Sequence, residues 1–185
     1  MHKKCALILI HPGFEELEAA APIDLLVRAE VEVHLASTTS EKVVRGRNGL
    51  AFETTHFFEE LNADELYDAV ILPGGPGIQQ LRKDPKLCEC LKRHHAAGKI
   101  LACICAAPLL LLDCGLLPGH YTAHPSTITE LPQPQNKDLV WDGRILTSKG
   151  AGTATPFGLA LIEALRDAAT RKKVADSICW PESDT

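Results

Sequence analysis

Residues 100–109 read ILACICAAPL, and the fold follows from how that stretch is divided. Ile100 to Ile104 form a short apolar run of strand length. With no polar linker the chain then enters a helical segment, Ala106 to Cys114, which Gly115 stops. A buried strand that passes directly into a helix is the junction expected in a parallel sheet covered by helices on both faces. The stretch also carries two cysteines, Cys103 and Cys105, where a core needs no thiol.

Outward from this junction the same alternation recurs. CALILI (5–10), VEVHLAS (31–37) and Asp68 to Leu72 are further strand candidates. The stretch FEELEAAAPIDLLVRA (14–29) is a helix whose apolar face is expected at Leu17, Ala20, Ala21, Leu25 and Val27, with a kink at Pro22. Val43 to Thr55 alternates and holds two glycines, so it reads as a small hairpin outside the main sheet. PKLCECLKRHHAAG (85–98) has proline in its first turn and Gly98 as its C-terminal cap. The polar, proline-rich stretch 124–138 reads as a surface excursion, Leu139 to Ser148 as two strands about an Asp-Gly turn, and Thr155 to Ser177 as one or two closing helices.

The chain has 185 residues, 45% of them hydrophobic and 23% charged, which suits one domain over 1–185. A net charge of −5 and the absence of a nucleic-acid-binding motif point away from nucleic acid as a partner. MHKK precedes only six apolar residues, too few for a secretory core or a membrane span, and a cytoplasmic protein with no membrane partner is expected. The seven cysteines are an odd number in a chain that is neither small nor loop-rich, which fits reduced thiols. Cys88 and Cys90, with His94 and His95 nearby, and Cys103 with Cys105 are spaced i, i+2, the wrong spacing for a zinc knuckle, so no metal is expected. No dinucleotide fingerprint or phosphate loop occurs, and no cofactor is expected.

In sheets of this kind ligands gather at the carboxyl ends of the strands. Three loops leave such ends: HPGFEE, PGGPG and CAAP. Cys105 stands at the strand-to-helix turn, the geometry of a nucleophile elbow, where a helix N-terminus would lower its pKa. The alternative is a small buried apolar residue. Glu15 and Glu16 are expected on a solvated face as partners of the helix dipole, whereas Glu18 shares a face with Ala21 and Pro22 and is a candidate buried acid/base. The backbone of Gly74 and Gly75 in PGGPG, like that after Cys105, is a candidate oxyanion receptor, although the same residues also describe a plain tight turn. His124, in TAHP, is a candidate site residue or a structural histidine.

Taken in order, GFEELEAAAPIDLLVRA, YDAVILPGGPG, ICAAP, TAHP and LTSKGAGTATPFGLALIEAL strongly resemble the ThiJ/PfpI superfamily, in particular its YajL and human parkinsonism-protein branch. The resemblance runs from Leu7 to about Ala175. It implies a flavodoxin-like α/β three-layer sandwich with a mostly parallel central sheet and a nucleophile elbow, and a homodimer. It matches the family's nucleophilic, oxidation-sensitive cysteine to Cys105, its partner glutamate to Glu18, its oxyanion donors to the backbone of Gly75 and Ala106, and its site histidine to His124. The implied activities are glutathione-independent glyoxalase and deglycase, with small dicarbonyls or glycated proteins and nucleotides as substrates. A redox-sensing chaperone whose cysteine is oxidised to sulfinate, with little turnover, is the alternative. The protease branch places histidine directly after the cysteine, where this chain has Ala106, and class I glutamine amidotransferases carry a later histidine than His124, so both hydrolytic triads are unexpected. Two further departures are Glu30, where a glycine is usual, and RGRNG (45–49), where the family's arginine appears as Asn48 with Arg47 beside it.

Overall fold

Alternation along the central strands sorts side chains to two faces and so builds two cores. In the computed structural model, which describes residues 3–181, strand β1 (Cys5–Ile10) sends Ala6, Ile8 and Ile10 to one face and Leu7 and Leu9 to the other, all fully buried. Each large apolar side chain buried this way contributes about 1.5–3 kcal/mol. The first core is closed by α1 (Glu16–Arg28), and the second by α3 (Pro85–Ala96) and α4 (Pro108–Asp113). The first is also closed by α5 (Ala154–Leu165) and α6 (Ala168–Ser177), the two helices into which the last stretch divides. The result is the three-layer sandwich of the flavodoxin-like kind, helices on both sides of a mostly parallel sheet.

The remaining strands are β2 (Glu32–Ser37), β3 (Val43–Arg45), β4 (Ala51–Glu53), β5 (His56–Phe57), β6 (Ala69–Leu72), β7 (Ile100–Ile104), β8 (Leu139–Asp142) and β9 (Ile145–Ser148). Six of them join β1 in a seven-stranded sheet of order β5-β2-β1-β6-β7-β9-β8, all parallel except β8, which pairs antiparallel with β9. β3 and β4 pair with each other as a separate hairpin, as their alternation predicts. The helix α3 starts as read from sequence: Asp84 caps it by accepting from the amides of Lys86 and Leu87, Pro85 follows, and Gly98 ends it at φ +68°. The two-residue β5 and a short helix, α2 (Ile78–Leu81), have no counterpart in the sequence expectation.

Three expectations are corrected. Leu17 and Val27 on α1 are 60% and 57% exposed and Ala20 is exposed, whereas Glu16, Glu18, Ala19, Pro22, Leu25 and Leu26 are buried. The buried face is thus turned relative to the apolar letters, because α1 packs on α5 through small residues: a Cβ on Gly158 would lie 2.6 Å from Leu25 Cδ1 and 3.3 Å from Pro22 Cα. Second, Glu16 is not a solvated dipole partner. It is 4% exposed and accepts from the amide of Asn48 at 2.6 Å and from Asn48 Nδ2 at 2.9 Å, tying the hairpin to α1. Burial opposes its charge, but the amides of Glu16 itself and Asn48 and the Asn48 side chain hold its carboxyl below the usual range. Third, 124–138 is more than a surface excursion, because Thr127 and Leu131 are buried and Arg82 links Glu130 at 2.7 Å to Asp113 at 2.5 Å.

Glu30 takes φ +59°, the left-handed conformation that makes glycine usual after such a helix. No helix among the described residues is long and apolar enough to cross a membrane. The expectation drawn from the first four residues rests partly on residues 1–2, and the expected domain includes these and 182–185, all outside the described residues.

Candidate active site

β7 lies in the middle of the sheet, between β6 and β9, and all five of its residues are buried. Strand parity explains the two cysteines. Cys103 faces the second core, fully buried, and burial pushes its thiol far up. A residue two further along an unbroken strand would face the same way. Cys105 instead packs at the edge of the first core, because φ +65° at this residue turns the chain out of the strand. Backbone bonds hold the turn on both sides: Cys105 N–H donates to Ser148 O at 2.9 Å, and Cys105 O accepts from His124 N–H at 2.9 Å. A non-glycine residue held at positive φ by such bonds marks a nucleophile elbow.

The PGGPG loop after β6 presses against this elbow. A Cβ on Gly74 would lie 2.7 Å from Cys105 Cβ and 2.8 Å from Ile104 O, so only glycine fits. The Gly74 N–H donates to Glu18 Oε2 at 2.8 Å, which spends it on positioning the carboxyl. Of the three backbone positions expected to receive an oxyanion, Gly75 and Ala106 direct their N–H groups at the Cys105 sulfur. Gly74 supports the acid instead. His11, 1% exposed at the end of β1, places Nε2 3.2 Å from Pro73 O and Nδ1 3.2 Å from Pro12 O. Burial lowers its pKa, and the neutral ring can donate to only one of these two carbonyl oxygens.

Glu18 reaches the site from α1, 1% exposed and hydrogen-bonded to Cys105. Burial raises its pKa to about 7, with the Gly74 amide and the thiol opposing the shift and Glu15 adding to it. Burial, and after it the neighbouring Glu18 charge, pushes the Cys105 thiol up to about 12, against the pull of the Gly75 and Ala106 amides. The expectation of a thiol acidified by a helix N-terminus is therefore corrected. α4 begins three residues later and is only six residues long, and the Glu18 carboxyl bears on the sulfur. What results is a thiol hydrogen-bonded to a carboxyl that titrates near neutrality.

Cys105 lies in a cleft of about 260 Å³ whose lining includes Gly75, Ala106, Leu109, His124, Glu130 and Arg47. His124 is exposed. Its Nδ1 is engaged by Ser126, at 2.9 Å from Oγ and 3.2 Å from the amide, which leaves Nε2 available to the cleft. Arg47 is brought there by the hairpin, whose backbone is bonded to the loop before α1 (Gly13 N–H to Arg45 O and Arg47 N–H to Phe14 O, both 2.9 Å). Its guanidinium is 3.5 Å from Glu15. Arg47 thus puts a cation on the wall of the cleft. His11 and Glu16 had no sequence signal, since their partners lie 62 and 32 residues away. Cys88, Cys90, His94 and His95 lie outside this site. His94 is buried in α3, with Nε2 accepting from Tyr67 N–H at 3.1 Å and Nδ1 2.7 Å from Cys90 O.

Comparison with known proteins agrees with this fold. The model of the DJ-1/PfpI family matches residues 4–179. The Drosophila melanogaster protein DJ-1alpha is 33% identical over 183 residues, covering 96% of this chain and 84% of its own. A Caenorhabditis elegans protein, the glutathione-independent glyoxalase DJR-1.2, is 30% identical over 182 residues, covering 96% and 97%. Among solved structures, oxidized Toxoplasma gondii DJ-1 superposes with a TM-score of 0.91 at 32% identity, over 97% of this chain and all of that one.

Proposed function

Because this chain belongs to the DJ-1/PfpI family, we propose that it acts through Cys105 on reactive dicarbonyls, free or as adducts on the amines of proteins and nucleotides. One observation carries this reading. The Cys105 sulfur meets the Glu18 carboxyl and the N–H groups of Gly75 and Ala106 at the floor of an open cleft. The C. elegans relative's name supports the class of chemistry.

With methylglyoxal, the thiol proton passes to the Glu18 carboxylate as sulfur bonds to the aldehyde carbon, and the Gly75 and Ala106 N–H groups receive the developing oxyanion. That oxygen takes up a proton to give a hemithioacetal. Glu18, again a carboxylate, then removes the proton from the thiol-bearing carbon and returns it to the neighbouring carbon, through an enediol, leaving a lactate thioester. Water cleaves the C–S bond, releasing lactate and restoring the thiol. His124 Nε2 is suited to hold the second carbonyl. On a glycated amine sulfur bonds to the aminocarbinol carbon as its C–N bond breaks, and the amine leaves with the thiol proton, giving the same hemithioacetal. Ala106 in place of histidine supports this over proteolysis.

Lactate release by Cys105→Ala, after subtraction of buffer-catalysed loss, is the test. The rate should fall to background, and conversion as fast as the parent's would end this reading.

A second reading draws on the same N–H pair. Peroxide would carry Cys105 through sulfenate to sulfinate, whose oxygens Gly75, Ala106 and protonated Glu18 would hold. Under graded peroxide, intact mass and peptide mapping should place the first two added oxygens on Cys105. Oxidation spread evenly over the other thiols would count against it. A homodimer completes the proposal, supported by Leu17, Val27, Val43 and Leu50, which remain exposed on α1 and the hairpin it is tied to.

A further inference from the structure

At the opposite end of the sheet from Cys105, three donors of different chemistry stand together. Cys5 opens β1, Glu32 opens β2 as its register partner, and His34 follows two residues on, so strand parity puts all three on one face. One ligand atom from each, the Cys5 sulfur, a Glu32 oxygen and a His34 ring nitrogen, lie within 4.8 Å of one another. We propose that Cys5, Glu32 and His34 form a binding site for a borderline divalent transition metal, Zn(II) in particular, with water at the fourth position.

The argument rests on ligand chemistry and on the support behind it. Thiolate, imidazole and carboxylate are the three protein donors zinc uses, and three of them with an open position is a known zinc arrangement. Bond lengths of about 2.0 Å to nitrogen and oxygen and about 2.3 Å to sulfur put tetrahedral ligand atoms roughly 3.3–3.5 Å apart. His34 Nε2 and Glu32 Oε1 are already at 3.0 Å, so binding needs the sulfur to close by up to roughly 1.3 Å. The outer nitrogen of His34 is also provided for. Nδ1 lies 3.4 Å from Tyr67 Oη, and the His56 ring stacks on His34 with centroids 4.4 Å apart and planes at 20°. Such partners fix a ligating imidazole's tautomer and orientation. The His34 and Glu32 side chains keep 20% and 49% exposure, which gives an ion a path from solvent. On binding, the Zn–S bond forms as Cys5 releases its proton to solvent, with no change of oxidation state. The site would clamp the first two strands of the sheet where they begin.

The test is Co(II) titration, followed by Zn(II) displacement, of the full chain carrying Cys105→Ala, which removes the active-site thiol. One equivalent of Co(II) should bind with a thiolate-to-cobalt charge-transfer band that Zn(II) abolishes. Adding Cys5→Ser should remove the band and weaken binding at least about a hundredfold, and His34→Gln at least about tenfold. Neither Cys88→Ser nor Cys114→Ser should change it. Cys5→Ser alone should retain parental dicarbonyl turnover, and circular dichroism would show that each variant folds. The proposal is overturned if no band appears, if the band survives Cys5→Ser, if it is lost with Cys88→Ser or Cys114→Ser, or if a folded His34→Gln variant binds as tightly as its background.

Discussion

Glu18 shows how one residue couples stability to chemistry. Its carboxyl titrates at about 7 in the folded chain against an ordinary 4.5. Between those values the folded state holds a proton that the unfolded chain has lost, so stability falls as pH rises from about 4.5 to about 7 and is level beyond. The loss is about 3 kcal/mol in all. Glu18→Gln should therefore be more stable than the parent at pH 8 and lose most of that advantage by pH 4.5, as urea midpoints would record. Turnover should move oppositely. Parental kcat/KM for methylglyoxal should rise through pH 7 as the carboxyl ionises to accept the thiol proton, while Glu18→Gln should be at least about a hundredfold slower and flat. Cys105, Glu18 and His124 were legible because a strand end, a carboxylate among apolar neighbours and a short motif each leave a local trace. His11 and Glu16 left none, since each is defined by a partner brought near only by the fold.

Among elements, β–α alternation was readable because strands and helices differ in period, and the central strands have no polar residue to blur it. The face of α1 was not, since it packs through Pro22, Leu25 and the bare backbone of Gly158 and not through its large exposed residues. Filling that contact tests it: Gly158→Val should lower stability by roughly 1–3 kcal/mol, measured by denaturant titration. The effect should extend to the site, because α1 carries Glu18. Gly74→Ala makes a sharper demand. Its methyl would meet Cys105 Cβ and the carbonyl of Ile104, so both stability and turnover should fall, and a Gly74→Ala protein with parental kcat would disprove the tight approach of the two loops.

For the molecule as a whole, the sandwich class follows from the sequence, but the order β5-β2-β1-β6-β7-β9-β8 does not, because it depends on which strands meet across long crossovers. Strand β5, with two residues, is too short to carry a periodic signal. The assembly expectation belongs at this scale. Leu17→Glu combined with Val27→Lys should convert a dimer to monomer in sedimentation without unfolding it, since both side chains face solvent in the single chain. Arg47 has a separate consequence. It reaches the cleft on β3 and β4, which share no backbone pairing with the seven-stranded sheet and are fastened by Glu16 and Asn48. The wall that would meet substrate is thus carried on a hairpin outside the sheet whose strand ends at the sulfur. Relatives could diverge in what they accept by redrawing about ten hairpin residues, and grafting such a hairpin between them is a route to exchanging preference while leaving the reaction itself in place.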